Sequence, residues 1–148
     1  DRLIPQTKLV WTDKEEIYRQ ADIISLHLPL TKHTKNMIRA EHIALMKPDA
    51  ILINTARGGI INELDLANAL NTGHLHGAAI DVFEQEPYDG PLASIERCIL
   101  TAHMGSMTVD CRTRMEIEAT EEAVRFIKGL PLEREVPEEE YSVQRAGL

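Results

Sequence analysis

Aromatic residues make up only 4% of the 148-residue chain, and cysteine occurs twice, at Cys98 and Cys111. The first shortage makes any core aliphatic. The second excludes a disulfide-stapled scaffold, and the two cysteines have no metal-ligand spacing, so no metal is expected. Two reduced thiols in a cytoplasmic protein is the reading they support. Positive charge is not in excess: the formal net charge is -8, which argues against non-specific binding to nucleic acid or to an anionic membrane. No apolar run is long enough to cross a bilayer, and no signal peptide is expected. Internal repeats and low-complexity segments are missing too. What remains is a chain that is 43% hydrophobic, enough for a packed core, and of a length that suits one domain.

Short apolar runs alternate with helical patterns. Strands are expected at "KLVW" (8–11), "DIISLHL" (22–28), "AILINT" (50–55), "GAAIDVF" (77–83) and "CILTAH" (98–103). Helices are expected at 12–21, with Thr12 or Asp13 as N-cap, at 40–47, and at 62–73 between an Asn62 cap and Gly73. A long helix should run from about Thr108 to Lys128, stopped by Gly129 and Pro131. Apolar strands alternating with helices predict an α/β fold, a parallel sheet covered on both faces. Ligands of such sheets bind beyond the carboxyl ends of the strands. Those ends read His27-Leu28-Pro29, Thr55-Ala56-Arg57, Asp81-Val82-Phe83 and Thr101-Ala102-His103.

Arg57 stands where an apolar strand runs out. A guanidinium is always charged and forks onto carboxylates. Gly58 and Gly59 behind it permit a sharp turn or a close approach to a ligand. His103 can donate or accept a proton near neutral pH. Glu86, in the loop after another strand, is placed to face it, fixing its tautomer and favouring its protonated form; Glu84 competes for that role. Each residue also has a plainer reading: a surface ion pair for Arg57, a backbone-satisfied histidine, a solvated loop acid. His33 and His42 are expected to be exposed, and His74 and His76 to serve a helix end or the surface.

Four segments in order, "HLPLTKHT", "LINTARGGIINELDLANAL", "GAAIDVFEQEP" and "LTAHMGSMT", resemble the C-terminal half of the D-isomer-specific 2-hydroxyacid dehydrogenases, a group that includes phosphoglycerate dehydrogenases and hydroxypyruvate reductases. The resemblance runs to about Pro131. It implies the C-terminal part of a doubly wound, Rossmann-like NAD-binding domain over residues 1–131, followed by an acidic tail over 132–148. It implies reversible, NAD- or NADP-dependent reduction of a 2-oxoacid to a D-2-hydroxyacid, with NAD favoured. By the same resemblance Arg57 binds the substrate carboxylate, His103 exchanges the proton and Glu86 orients His103. Asp81 lies near the nicotinamide carboxamide, and His27, Pro29, Thr55 and Ala56 line the cofactor cleft. Asp1 falls where the family places the acid on the adenosine ribose.

The departures also carry expectations. The Gly-rich phosphate loop does not occur in the sequence, Ala102 stands where the family usually has proline, and "REVPEEEY" lacks a Val-Asn that often follows. The chain reads as a piece of a longer enzyme, inactive by itself. In a strand order of 3-2-1-4-5-6, "KLVW" would be strand 3 and "DIISLHL" strand 4, leaving the latter as an open edge. A homodimer is the expected consequence. Two other readings of the resemblance are a nucleotide-sensing corepressor on the same fold and a formate dehydrogenase; the latter has glutamine in place of the glutamate, against Glu86.

Overall fold

The computed structural model describes residues 9–136. Four parallel strands form one sheet in the order β1-β2-β3-β4: β1 Ile23–Leu26, β2 Ile51–Asn54, β3 Gly77–Ile80 and β4 Cys98–Leu100. Register is continuous across it, with Leu26 opposite Asn54 and Asn54 opposite Ile80. Every strand therefore ends at the same edge, and the loops that leave them share one side of the molecule.

The helices form for local reasons. Helix α1 (Lys14–Gln20) starts at Asp13, whose carboxylate accepts the Glu16 N–H at 2.9 Å. Helix α2 spans Ala40–Ile43, shorter than the periodicity predicts. Its first N–H, from Ala40, donates to Asp65 on the next helix at 2.9 Å. Helix α3 (Glu63–Asn71) is capped by the Asn62 side chain on the Asp65 N–H, and Gly73 follows it at φ +74°, the left-handed turn that glycine takes without a side-chain clash. Helix α4 (Val109–Ile127) begins at Thr108 and is followed by Gly129 at φ +66°.

Leu52, Leu66, Ile38, Ile43 and Ile60 are fully buried and form the centre of an aliphatic core between the sheet and helices α2 and α3. Segment 36–38 is stitched to 59–62 by three backbone bonds, including Ile38 N–H to Ile60 C=O at 3.1 Å. His42 is half-buried rather than exposed and stands edge-on to Tyr18 at 5.7 Å. His74 reaches across to the Ile43 carbonyl at 3.0 Å, tying the end of α3 to α2.

Two expectations change. Residues 9–11 of "KLVW" form no strand, and Trp11 is 88% exposed. No neighbouring strand among the described residues meets their backbone groups, and an extended segment needs such a partner to become part of a sheet. The sheet is also not covered on both faces. Alternate residues of β1 are buried and exposed, Ile23 is 60% and Ile99 67% exposed, and no residue of α4 is buried. Both cysteines are free; Cys98 is half-buried, and burial pushes its thiol up to about 11, so it is an inert core thiol at neutral pH.

Candidate active site

The loop after β2 is built on one amide. Asn54, the last residue of the strand, is 2% exposed. Its Oδ1 accepts the Ala56 N–H at 3.1 Å and its Nδ2 donates to the Arg57 carbonyl at 2.9 Å. The backbone is thereby folded so that the Arg57 side chain leaves the protein surface. The guanidinium donates to the Ala56 carbonyl at 2.7 Å, and among the described residues it forms no ion pair with a carboxylate. A surface ion pair therefore does not account for it.

Gly58 has a different task from the one its sequence suggests. A Cβ placed there would stand 1.8 Å from the Phe83 carbonyl oxygen and 2.6 Å from the Glu84 nitrogen. The close approach is of chain to chain, drawing the Arg57 loop onto the loop after β3. Gly59, at φ +77°, is the residue that needs left-handed freedom. Gly58→Ala is expected to destabilise the fold by about 3 kcal/mol, because the Phe83–Glu84 peptide must move. Urea unfolding measures the loss; a midpoint equal to that of the parent would contradict the contact.

The loop after β3 supplies the carboxylate. Glu86 Oε1 accepts the Phe83 N–H at 3.0 Å, which aims Oε2 at His103 Nδ1, 3.1 Å away. Glu84 turns elsewhere, to Lys35 at 3.4 Å, so the choice between the two acids falls to Glu86. The Phe83 N–H, then the His103 ring, hold the Glu86 carboxyl below its ordinary range. Glu86 also forms one wall of a groove of about 660 Å³, closed by Phe83, Pro87, Tyr88, Leu100, Thr101 and Ala102.

His103 has a backbone that side chains seldom adopt, φ +53°. Asp81 holds it there. The His103 N–H donates to the Asp81 carbonyl at 2.8 Å, the Met104 N–H to Asp81 Oδ1 at 2.9 Å, and the Thr101 hydroxyl to the same oxygen. Burial pushes the Asp81 carboxyl up, but the Thr101 hydroxyl, the Met104 N–H, the His103 ring and the Gly105 N–H outweigh it and hold it below the ordinary carboxylate range. Asp81 and Glu86 thus contribute stability that is complete above their unfolded values and lost as the pH falls through the lowered folded ones.

The remaining expected residues lie on the same edge. His27 is exposed with its ring nitrogen Nε2 2.8 Å from the Ser25 hydroxyl; Pro29 and Thr55 are exposed, and Ala56 is half-buried. Asp1 lies outside the described residues. Sequence reasoning missed Asn54 and gave Thr101 no task. The available signal was a single polar side chain closing an otherwise apolar strand, or beginning the turn after one.

A parallel sheet with open strand exits on its carboxyl edge, where an arginine and a carboxylate-bound imidazole stand, is the architecture of a dinucleotide-binding α/β domain. A family model described as D-isomer specific 2-hydroxyacid dehydrogenase, NAD binding domain, matches residues 4–105, and the chain belongs to that family. It is 46% identical over 119 residues to a D-3-phosphoglycerate dehydrogenase of Bacillus subtilis, covering 80% of this chain and 23% of that protein. It is 42% identical to a glyoxylate reductase of Thermococcus litoralis, covering 80% of this chain and 36% of that one. Among solved structures, the TT0316 protein of Thermus thermophilus superposes with a TM-score of 0.82 at 35% identity, over 92% of this chain and 44% of that one. The chain thus spans about a quarter to a third of the curated relatives' length.

Proposed function

We propose that this chain is a catalytic portion of an NAD-dependent enzyme that reversibly reduces a 2-oxoacid to a D-2-hydroxyacid. The observation that carries the reading is the 3.1 Å contact between Glu86 and His103, formed by the exits of adjacent strands, with the Arg57 loop packed through Gly58 against the same Phe83–Glu84 peptide. Arg57 binds the substrate carboxylate and polarises the 2-oxo group. His103 gives its proton to the substrate oxygen on reduction and takes it back on oxidation. Glu86 holds the ring in the tautomer that presents Nε2 to the substrate.

A bound nicotinamide cofactor would supply the hydride in its reduced form and take it back in its oxidised form. The residues fit its nicotinamide end: His27, Pro29 and Thr55 are exposed where a cofactor would lie across the strand exits, and Ala56 is half-buried beside them. Asp81 is next to that position, and Asp1 takes the ribose. The family description, an NAD-binding domain, supports NAD over NADP.

The enzyme acts as a homodimer in the cytoplasm. The exposed face of Ile23 and Ile99 and the apolar residues of α4, among them Phe126 and Ile127, support association; the two free thiols support a reducing compartment. The test is NADH oxidation by the intact enzyme carrying this domain, with glyoxylate and other 2-oxoacids, and D-3-phosphoglycerate in the reverse direction. Stereospecific turnover is expected. Inertness toward every 2-oxoacid, with NADH binding intact, would refute the assignment.

A further inference from the structure

Asn54 and Asp81 are the buried polar side chains of the core, at 2% and 8% exposure. They sit at the ends of adjacent strands, and the Asp81 N–H donates to the Asn54 carbonyl at 2.9 Å. The Asn54 side chain bonds into the turn after its own strand β2, and the Asp81 side chain into the turn after the neighbouring strand β4. Asn54 holds the Ala56–Arg57 turn at both a donor and an acceptor. Asp81 holds the Thr101–Met104 turn, on the far side of the β3–β4 pair, through three donors. Beyond these bonds, the Thr101 N–H donates to the Ile80 carbonyl of β3 at 3.0 Å.

We propose that Asn54 and Asp81 are a pair of positioning residues that set Arg57 and His103 at a fixed separation. Neither has to touch substrate to do so. The His103 turn shows why such a device is needed. A left-handed backbone at a side-chain-bearing residue is strained, and it persists only where the surroundings over-determine it. The three bonds from Asp81 supply that. Were the turn to relax to an ordinary backbone, the imidazole would swing off Glu86 Oε2, because Glu86 is separately fixed by the Phe83 N–H. The link between the two strand ends carries the same precision across to Arg57, and the sheet makes it rigid. This reading rests on Arg57 and His103 being clamp and proton carrier, and it gives Asp81 a task beyond any contact with the nicotinamide.

NMR of the labelled 148-residue chain tests it without turnover. In Asp81→Ala the Met104 amide should exchange with solvent roughly tenfold faster, since a charge-assisted bond is lost. The His103 Nδ1 resonance should also leave its hydrogen-bonded position. Asp81→Asn keeps an acceptor oxygen and should restore both, with exchange within about threefold of the parent. Asn54→Leu should accelerate exchange at Ala56 and leave the His103 Nδ1 resonance in place. A folded Asp81→Ala chain with unchanged Met104 exchange and unchanged Nδ1 would overturn the proposal. Should that variant not fold, Thr101→Val decides. Several-fold faster exchange at Met104 supports the proposal, and an unchanged rate overturns it. If these positions respond as expected but the intact enzyme reduces no 2-oxoacid, the functional reading fails and the positioning role stands.

Discussion

Arg57→Lys in the intact enzyme is expected to lower kcat/KM for 2-oxoacids by roughly two orders of magnitude or more, with cofactor affinity nearly unchanged. The guanidinium is held at its root by the Asn54 amide and leaves the surface with no carboxylate partner among the described residues. Beside the Nη1 bond to the Ala56 carbonyl, its remaining donors can take the oxygens of a substrate carboxylate. A lysine at the same place is a point charge on a flexible stem and cannot form that pair. The loss should be concentrated in the transition state, where the substrate oxygen gains negative charge. Steady-state kinetics with several 2-oxoacids measure it. Near-parental turnover of any of them would mean that Arg57 is not the clamp.

Glu86→Gln should move the pH limbs of both directions of the reaction to lower pH, with opposite effects on their rates. Glu86 is held ionised by the Phe83 N–H and by the His103 ring. The Glu86 charge lies 3.1 Å from His103 Nδ1 and attracts a positively charged, protonated ring more strongly than a neutral one. Reduction uses that protonated form, so removing the charge should move its alkaline limb to lower pH. Oxidation uses the neutral ring, so its acid limb should move the same way and oxidation should gain at mildly acidic pH. The amide keeps an acceptor for the Phe83 N–H, so the loop geometry survives. His103→Ala in the same background should cost about 10²- to 10⁴-fold in kcat, the usual worth of a positioned acid–base group. Unmoved pH–rate profiles in both directions, with a deuterium isotope effect showing that hydride transfer is rate-limiting, would count against the pair.

The edge that carries the candidate site was legible in the sequence because parallel sheets impose it. Apolar strands alternating with helices put every strand exit on one side, and Arg57, Glu86 and His103 each follow a strand directly. Caps such as Asn62 and Thr108 were legible for the same reason: the groups that satisfy a helix end are its sequence neighbours. The "KLVW" segment was misread because apolarity predicts burial but cannot supply the neighbouring strand that a ladder needs. The covering of both sheet faces failed similarly, since Ile23 and Ile99 carry a strand's pattern whether or not anything packs on them.

Composition and pattern alone determined the parallel α/β architecture and the aliphatic core, because these depend on local periodicity, and they placed Arg57, Glu86 and His103 among the candidates after strand ends; the roles proposed for those three came from the family resemblance. Only the tertiary structure decided how those groups work together. That Glu86 and not Glu84 meets His103 follows from a Phe83 N–H that aims one oxygen and from Lys35, almost fifty residues earlier in sequence, that draws off the other acid. That Gly58 makes room for a peptide and not for a ligand, and that Asp81 secures a left-handed turn across the β3–β4 pair, are contacts between segments distant in sequence. Spacing along the chain carries no information about such distances until the sheet has brought its strand ends together.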